Sequence, residues 1–200
     1  MIQIHINDDD FLKSHNFAEI CAESCLSNYK RRGQGNLTKI TNDIHTGKLL
    51  ELGAYKMLKK LGIPVLFPDF TIYEGKGKSW DADLEAQGMY FHCKSQTEDS
   101  VKKYGLSWLL SYGITGTDTL FKHQRPTDFL VPGYISGRSA IICGIFSIKD
   151  IMENGLIGMP KLPQMYRSKR AIYWKDLEFH YPEEKRWDRF LAAKNREYGE

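Results

Sequence analysis

The run WDADLEAQGMYFHCKS, Trp80 to Ser95, constrains the fold more than any other part of the chain. Apolar and polar residues alternate on both sides of Gln87-Gly88, the pattern of two half-buried antiparallel strands joined by a tight turn. A two-residue loop sets Ala86 opposite Met89, Glu85 opposite Tyr90, Leu84 opposite Phe91, Asp83 opposite His92 and Asp81 opposite Lys94. Successive side chains on a strand point to opposite faces, so Ala82, Leu84, Phe91 and Cys93 form an apolar face suited to a core. Asp81, Asp83, His92 and Lys94 then project together from the reverse. Cross-strand charge pairs on a solvated face, at about 0.2–1 kcal/mol each, are the plain explanation of such a group. Its central place in the order of elements, directly after a helix that carries Glu51, argues instead for chemistry.

Before the hairpin, Phe17, Ile20, Cys21 and Cys25 recur at helical spacing and predict a helix over 9–32, ended by GQGN at Gly33 to Asn36. Leu50, Ala54, Met57, Leu58 and Leu61 predict a second helix, capped by Thr46 and stopped by Gly62 and Pro64. From Pro64 onward VLF, DFTIYEG, WDADLEA and GMYFHCKS read as a meander, with GKGK (Gly75 to Lys78) and Gln87-Gly88 as its turns. The polar, aromatic stretch from Glu98 to Thr127, with a short helix near Leu106 to Leu110, is a loop long enough to have a function, and Ser111 to Thr127 within it reads as a substrate loop. Asp128 to Ile135 and Ala140 to Phe146 read as buried strands, Ile148 to Glu153 as a helical turn, and AIYWKDL as an edge strand or docking segment. Pro182 to Glu200 reads as a surface helix held by Trp187, Phe190 and Leu191. The expected organisation is a single α/β domain over 1–200, with an N-terminal helix at 9–32, a core over about 46–180 and a C-terminal helix at about 182–200.

A chain of 200 residues is long enough for one well-buried core. No run approaches the ~18 apolar residues of a membrane span. MIQIHINDDD lacks the basic-then-apolar order of a secretory signal, so a cytoplasmic location with no membrane partner is expected. The four cysteines are then reduced; no CxxC pair occurs, and buried thiols suit them better than a metal site. A formal charge of +3 says little, but its distribution says more. Lys30-Arg31-Arg32, Lys76 and Lys78, Lys102-Lys103, Lys122 with Arg125, and Arg167 to Arg170 gather in loops and element ends, where they can meet a phosphate backbone.

Acidic side chains with a lysine close by are what divalent-metal phosphodiester chemistry requires. Hard Mg²⁺ takes oxygen ligands, stabilises charge on the scissile phosphate and lowers the pKa of an attacking water. A nearby lysine orients that water or offsets charge in the transition state. A helix with an inward glutamate, a three-strand meander, an aspartate on its second strand and an acid-x-lysine on its third is the layout of the PD-(D/E)XK nuclease superfamily, which the chain resembles from roughly Thr46 to Phe146. Glu51, Asp83 and Lys94 match that layout.

The resemblance implies a restriction-endonuclease-like core, a central mixed β-sheet flanked by helices. It also implies a metal-dependent DNA endonuclease of phage, mobile-element or restriction type that uses Mg²⁺ or Mn²⁺. Asp83, Lys94, Glu51 and His92 are its expected catalytic residues; Asp83, Asp81, Glu51, His92 and the Cys93 carbonyl are its expected metal ligands. Asp81 competes closely with Asp83. Asp69, in the literal pair Pro68-Asp69, opens the first strand and not the second, and is read as a strand-entry residue. His92 stands where the family usually has Asp or Glu, and imidazole suits Mn²⁺ better than Mg²⁺. That departure opens an alternative, a DNA-binding or partner-binding protein on a decayed nuclease fold. Arg31, Arg32, Gln96, Lys102, Lys103, Tyr112, Lys122 and Arg125 are the candidate DNA contacts, with Tyr112 and Phe121 placed to stack on or wedge bases. Cutting both strands at a symmetric site would require a homodimer or two successive nicks.

Overall fold

A computed structural model describes residues 1–31, 33–73, 82–121, 125–187, 190–192 and 194–195. The chain opens with a short strand, β1 (Ile2–His5), followed by two long helices, α1 (Asp8–Arg31) and α2 (Leu37–Lys60). Asp8, Asp9 and Asp10 fill the first turn of α1, where negative charge complements the helix dipole. Asn36, and not Thr46, caps α2: its side-chain oxygen accepts the Lys39 N–H at 2.9 Å. Thr46 lies inside the helix and turns its hydroxyl back onto the Asn42 carbonyl at 2.7 Å, a bond available only once the preceding turn has formed.

The hairpin forms in the anticipated register. β2 (Leu84–Ala86) pairs antiparallel with β3 (Met89–Lys94), matching Leu84 with Phe91, Glu85 with Tyr90 and Ala86 with Met89. Gln87 and Gly88 take φ of 43° and 82°, as a type I′ turn demands of both central residues. The other edge of β3 pairs parallel with β5 (Asp128–Ser136), setting Tyr90 to Lys94 against Asp128 to Pro132. β7 (Phe146–Ser147) and β6 (Ser139–Ile142) pair antiparallel with successive parts of β5, and β1 adds beyond β6. The product is a mixed sheet in the order β1-β6-β5-β3-β2, flanked by helices.

Helix α2 lies across one face of that sheet. Leu50, Met57 and Leu58 pack with Leu84, Phe91, Phe129 and Val131 in a core closed to solvent. The approach is close at Gly53, where a Cβ would stand 2.4 Å from the Cβ of Ala140. A second sheet, in the order β4-β9-β8, belongs to a second core with Trp108, Leu130, Phe146, Ile148 and Ile172. It consists of β4 (Ser107–Ser111), β8 (Ile157–Gly158) and β9 (Lys169–Tyr173). The Trp108 indole N–H donates to the Gly133 carbonyl at 2.8 Å and ties this layer to β5.

Several expected elements differ. The first strand of the meander does not form between Ile63 and Tyr73. Leu66 N–H does reach the Glu85 carbonyl at 3.1 Å, so the segment runs beside β2, but Pro64 and Pro68 have no N–H to extend a ladder. The expected GKGK turn, with Lys76 and Lys78, lies outside the described residues. Leu106 to Leu110, read as a helix, is mostly strand β4; Trp108 and Leu110 are buried while Leu109 is exposed, a period of two. The helix there comes earlier, as α3 (Glu98–Tyr104), capped by Thr97. Ala140 to Phe146 splits into β6 and β7 about the buried Cys143-Gly144. Ile148 to Glu153 is helix α4, as expected.

AIYWKDL divides between β9, which is central and not an edge strand, and α5 (Trp174–His180). In the C-terminal segment Phe190 is fully buried against Phe91 and Phe129, so this element belongs to the core and not only to the surface. All four cysteines are free thiols. No helix among the described residues is long and apolar enough to cross a membrane.

Candidate active site

The site begins where β2 runs out. Phe91 C=O accepts the Asp83 N–H at 3.0 Å, and the next donor on that edge of β3, the Cys93 N–H, is taken by the Asp83 carboxylate at 2.7 Å. Asp83 thereby ends the ladder and is fixed at its end while remaining exposed. Within a strand, the N–H and C=O of one residue face the same edge, so the Cys93 carbonyl is turned towards Asp83 as well.

Helix α2 contributes a buried ion pair. Lys48 and Glu51 have side chains only 8% and 12% exposed, and the Lys48 ammonium donates to the Glu51 carboxylate. It also donates to the Asp69 carbonyl at 2.7 Å and lies over the rings of Phe17 and Phe70. Asp69 uses its own carboxylate locally, accepting the Thr71 N–H and the Tyr73 hydroxyl at 2.8 Å each. That hydrogen bond is the main cause of a raised Tyr73 pKa. Asp69 thus folds the loop after Pro68.

Cys93 stands amid these groups. Desolvation, then the negative charges of Asp83 and Glu51, push its thiol well above the usual range, against the pull of Lys48 and Lys94. Four charged side chains therefore act on one sulfur: Asp83 from the entry to β2, Glu51 and Lys48 from α2, and Lys94 from the end of β3.

The opposite face of β3 holds a second polar group. His92 is 3% exposed and its Nε2 lies 3.5 Å from Oδ1 of the fully buried Asp128. Asp128 also receives the Arg125 backbone N–H at 2.7 Å and the Arg125 guanidinium, which stacks on the Tyr90 ring at 3.8 Å. Burial lowers the His92 pKa, and the charges of Asp83 and Asp128 only partly offset it, so the imidazole is neutral at pH 7. For Asp128 burial favours the neutral acid, but the hydrogen bonds and charge of Arg125 outweigh it and hold the carboxyl below its usual range. Beside them the Lys94 ammonium bonds both carboxylate oxygens of Asp118, at 2.9 and 3.2 Å. The Asp118 N–H donates to Ser111 C=O and its Oδ1 accepts the Leu120 N–H, so the loop after β4 is built around this lysine.

No protein-family model, curated protein or solved structure matches this chain. Its chemistry has to be read from geometry.

Asp83 bonds the Cys93 N–H directly and the charges of Glu51 and Lys94 reach Cys93, whereas Lys94, on the same face of β3 as His92, bonds Asp118, and His92 turns its Nε2 to Asp128. Of the expected DNA contacts, Gln96 accepts the Ser107 N–H and donates to the Gly105 carbonyl, both at 3.1 Å, and so holds the turn between α3 and β4. Arg125 is held by Asp128. Tyr112 is exposed, with the Arg170 guanidinium stacked on its ring at 3.7 Å and Phe121 edge-on at 5.7 Å. Lys102 and Lys103 are exposed on α3, the former paired with Glu98 at 2.9 Å. Asp81, Arg32 and Lys122, and the side chain of Arg31, lie outside the described residues. Lys48 and Asp118 were not singled out from sequence. Lys48 had a signal, a lysine one turn before Glu51 beside an apolar stripe; Asp118 had none in its polar loop.

Among the described residues no three His, Cys, Asp or Glu side chains form a metal cage. Oxygen donors are near Cys93, namely the Asp83 carboxylate on its N–H and its own carbonyl, with the Glu51 carboxylate paired to Lys48; carboxylates and carbonyls are the ligand type that Mg²⁺ takes.

Proposed function

We propose that the protein is a metal-dependent DNA endonuclease, a cytoplasmic hydrolase of phage, mobile-element or restriction type whose mixed sheet is a restriction-endonuclease-like core. The observation that carries this reading is the Asp83 carboxylate fixed on the Cys93 N–H at the end of β2, with the buried Glu51 of α2 and Lys94 at the end of β3 near enough for their charges to act on Cys93. Asp83, Glu51 and the Cys93 carbonyl would hold Mg²⁺ or Mn²⁺, which when bound supplies an activated water and neutralises charge on the scissile phosphate. Lys48 holds the Glu51 carboxylate in position. Lys94 directs its ammonium at the water or at the phosphate oxygens, where positive charge favours the transition state over the ground state. Neutral His92 supports the strand from behind through Asp128. Lys102, Lys103 and the stretch Arg167 to Arg170 supply phosphate contacts.

Supercoiled plasmid incubated with Mg²⁺ or Mn²⁺ tests the reading: nicking or linearisation is expected, and EDTA stops it. Lys94→Ala and Asp83→Ala abolish cleavage, whereas Asp69→Ala, which alters only a loop, still cuts. Cleavage by Lys94→Ala at the wild-type rate would sink the assignment. Cutting both strands at a symmetric site calls for a homodimer of this chain or two successive nicks.

One observation favours a second reading, a DNA-binding or partner-binding protein on the same fold. Glu51 and Lys94 each bond an oppositely charged side chain of the protein, Lys48 and Asp118, so the cluster can be satisfied without substrate. Retarded but uncut plasmid with both metals selects that reading.

A further inference from the structure

β4 is the edge of its sheet, and among the described residues it pairs with β9 alone. The bonds at its two ends fix which main-chain groups face outward. The Trp174 N–H donates to the Leu106 carbonyl at 3.1 Å and the Tyr112 N–H to the Ser168 carbonyl at 2.9 Å, so Leu106, Trp108, Leu110 and Tyr112 turn their N–H and C=O groups towards β9. Along an antiparallel strand this direction alternates, and Ser107, Leu109 and Ser111 therefore present theirs at the open edge.

The ends of that edge are already occupied. The Ser107 N–H donates to Gln96 Oε1 at 3.1 Å, and the Ser111 carbonyl accepts the Asp118 N–H at 2.9 Å. Among the described residues this leaves the Ser107 carbonyl, both main-chain groups of Leu109 and the Ser111 N–H. The remainder is self-complementary about Leu109, with a free acceptor two residues before it and a free donor two residues after it. Ser107 and Leu109 also border a groove of about 840 Å³, so the chain leaves space beside them. The Leu109 side chain is 44% exposed, and Ile114, just past the strand, is 80% exposed. An unpaired edge with apolar side chains in solvent is a template for another strand.

We infer that β4 pairs with β4 of a second copy of this chain, antiparallel about a two-fold axis at Leu109, so that the two small sheets become one. In this register Leu109 exchanges both main-chain bonds with its own copy, and each Ser111 N–H meets the Ser107 carbonyl opposite. Every free group is used. An axis at Trp108 would set the Leu109 carbonyl and the Ser111 N–H against groups already occupied, and an axis at Leu110 would do the same to the Leu109 N–H. A foreign strand gives no reason for such symmetry, whereas a closed dimer requires it. The pairing does not depend on the nuclease reading, and self-association is measured apart from cleavage.

Sedimentation equilibrium on the full chain, without DNA or metal, tests the inference. The wild type is expected to move from 23.1 kDa towards twice that mass as its concentration rises to about 100 µM. Leu109→Lys and Leu109→Glu each set like charges opposite one another across the axis and should weaken association about tenfold or more, whereas an equimolar mixture of the two restores it. Thermal midpoints check that both charged variants fold. Leu109→Cys supplies a second measure, because paired residues of this kind lie about 5.5 Å apart at Cα, within reach of a disulfide. Mild oxidation should trap it as a reducible dimer in higher yield than the wild type, with its own free thiols, treated alike. A wild type that stays monomeric, a dimer that both charged variants leave intact, a mixture of folded charged variants that stays monomeric, or a Leu109→Cys protein that cross-links no better than wild type would each overturn the inference.

Discussion

Replacing Lys48 by methionine isolates the support of Glu51 from any chemistry at the site. The two side chains are 8% and 12% exposed, so solvent screens their attraction little. Methionine keeps the length and the packing against Phe17 and Phe70 but removes the ammonium from Glu51 and from the Asp69 carbonyl. Removing one partner of a buried pair costs about 3–5 kcal/mol, because the remaining charge stays desolvated. At roughly 2–4 °C per kcal/mol for a chain of this size, the thermal midpoint should fall by about 6–20 °C. Urea titration followed by tryptophan fluorescence measures the loss directly. The double variant Lys48→Met, Glu51→Leu should recover most of it, since apolar replacement of a whole buried pair is close to neutral. A single variant within about 1 kcal/mol of wild type, or a double variant less stable than the single, would refute the view that Glu51 is held by this lysine.

Two further outcomes follow from the geometry. Burial first, with His15 adding to it for His45, lowers the pKa of both His92 and His45 below 6.5; the unfolded chain therefore takes up protons before the folded one, and stability should be complete above pH 6.5 and decline as pH falls through the folded values. Urea midpoints between pH 8 and 5 check this, and His92→Gln should flatten the decline. Gln87 is the one described non-glycine residue with positive φ, so Gln87→Asn, better suited to the first central position of a type I′ turn, should raise stability by about 0.5 kcal/mol, read from the shift in urea midpoint.

What was legible in the sequence was periodic. The hairpin register followed from alternation about Gln87-Gly88, because a slip by one residue would expose Leu84 and Phe91 and bury Asp83. That the helix carrying Glu51 packs against β3 followed from element order. Tertiary context decided what was missed. Asn36 and Thr46 are both good caps in isolation, and the packing of α2 against α1 favours the longer helix that starts at the earlier one. Trp108 and Leu110 alternate over too short a run to separate strand from helix until β9 pairs beside them. Asp128 opens an apolar strand, where nothing local announces that it will be buried with His92 and Arg125.

That buried aspartate gives a physical reason for an imidazole, and not a carboxylate, at position 92. Oδ1 of Asp128 is 3.5 Å from His92 Nε2, and Asp128 is fully buried and ionised. A glutamate at 92 would bring a second acid beside it, and two carboxylates so close cannot both ionise away from water; the newcomer's pKa must rise. His92→Glu should then reverse the pH dependence. A raised folded pKa contributes stability below the unfolded value of about 4.3 that is lost as pH rises through the folded value. The variant should therefore lose stability as pH increases in this range, whereas the wild type loses it as pH decreases below 6.5. Adding Asp128→Asn to His92→Glu removes the neighbouring acid and leaves Arg125 to pair with the new glutamate, so the double variant should be the more stable of the two at pH 7. Urea titrations at pH 5 and pH 8 decide the matter: a His92→Glu protein that is more stable at pH 8, or one not improved by Asp128→Asn, would show that Asp128 does not dictate the residue at 92.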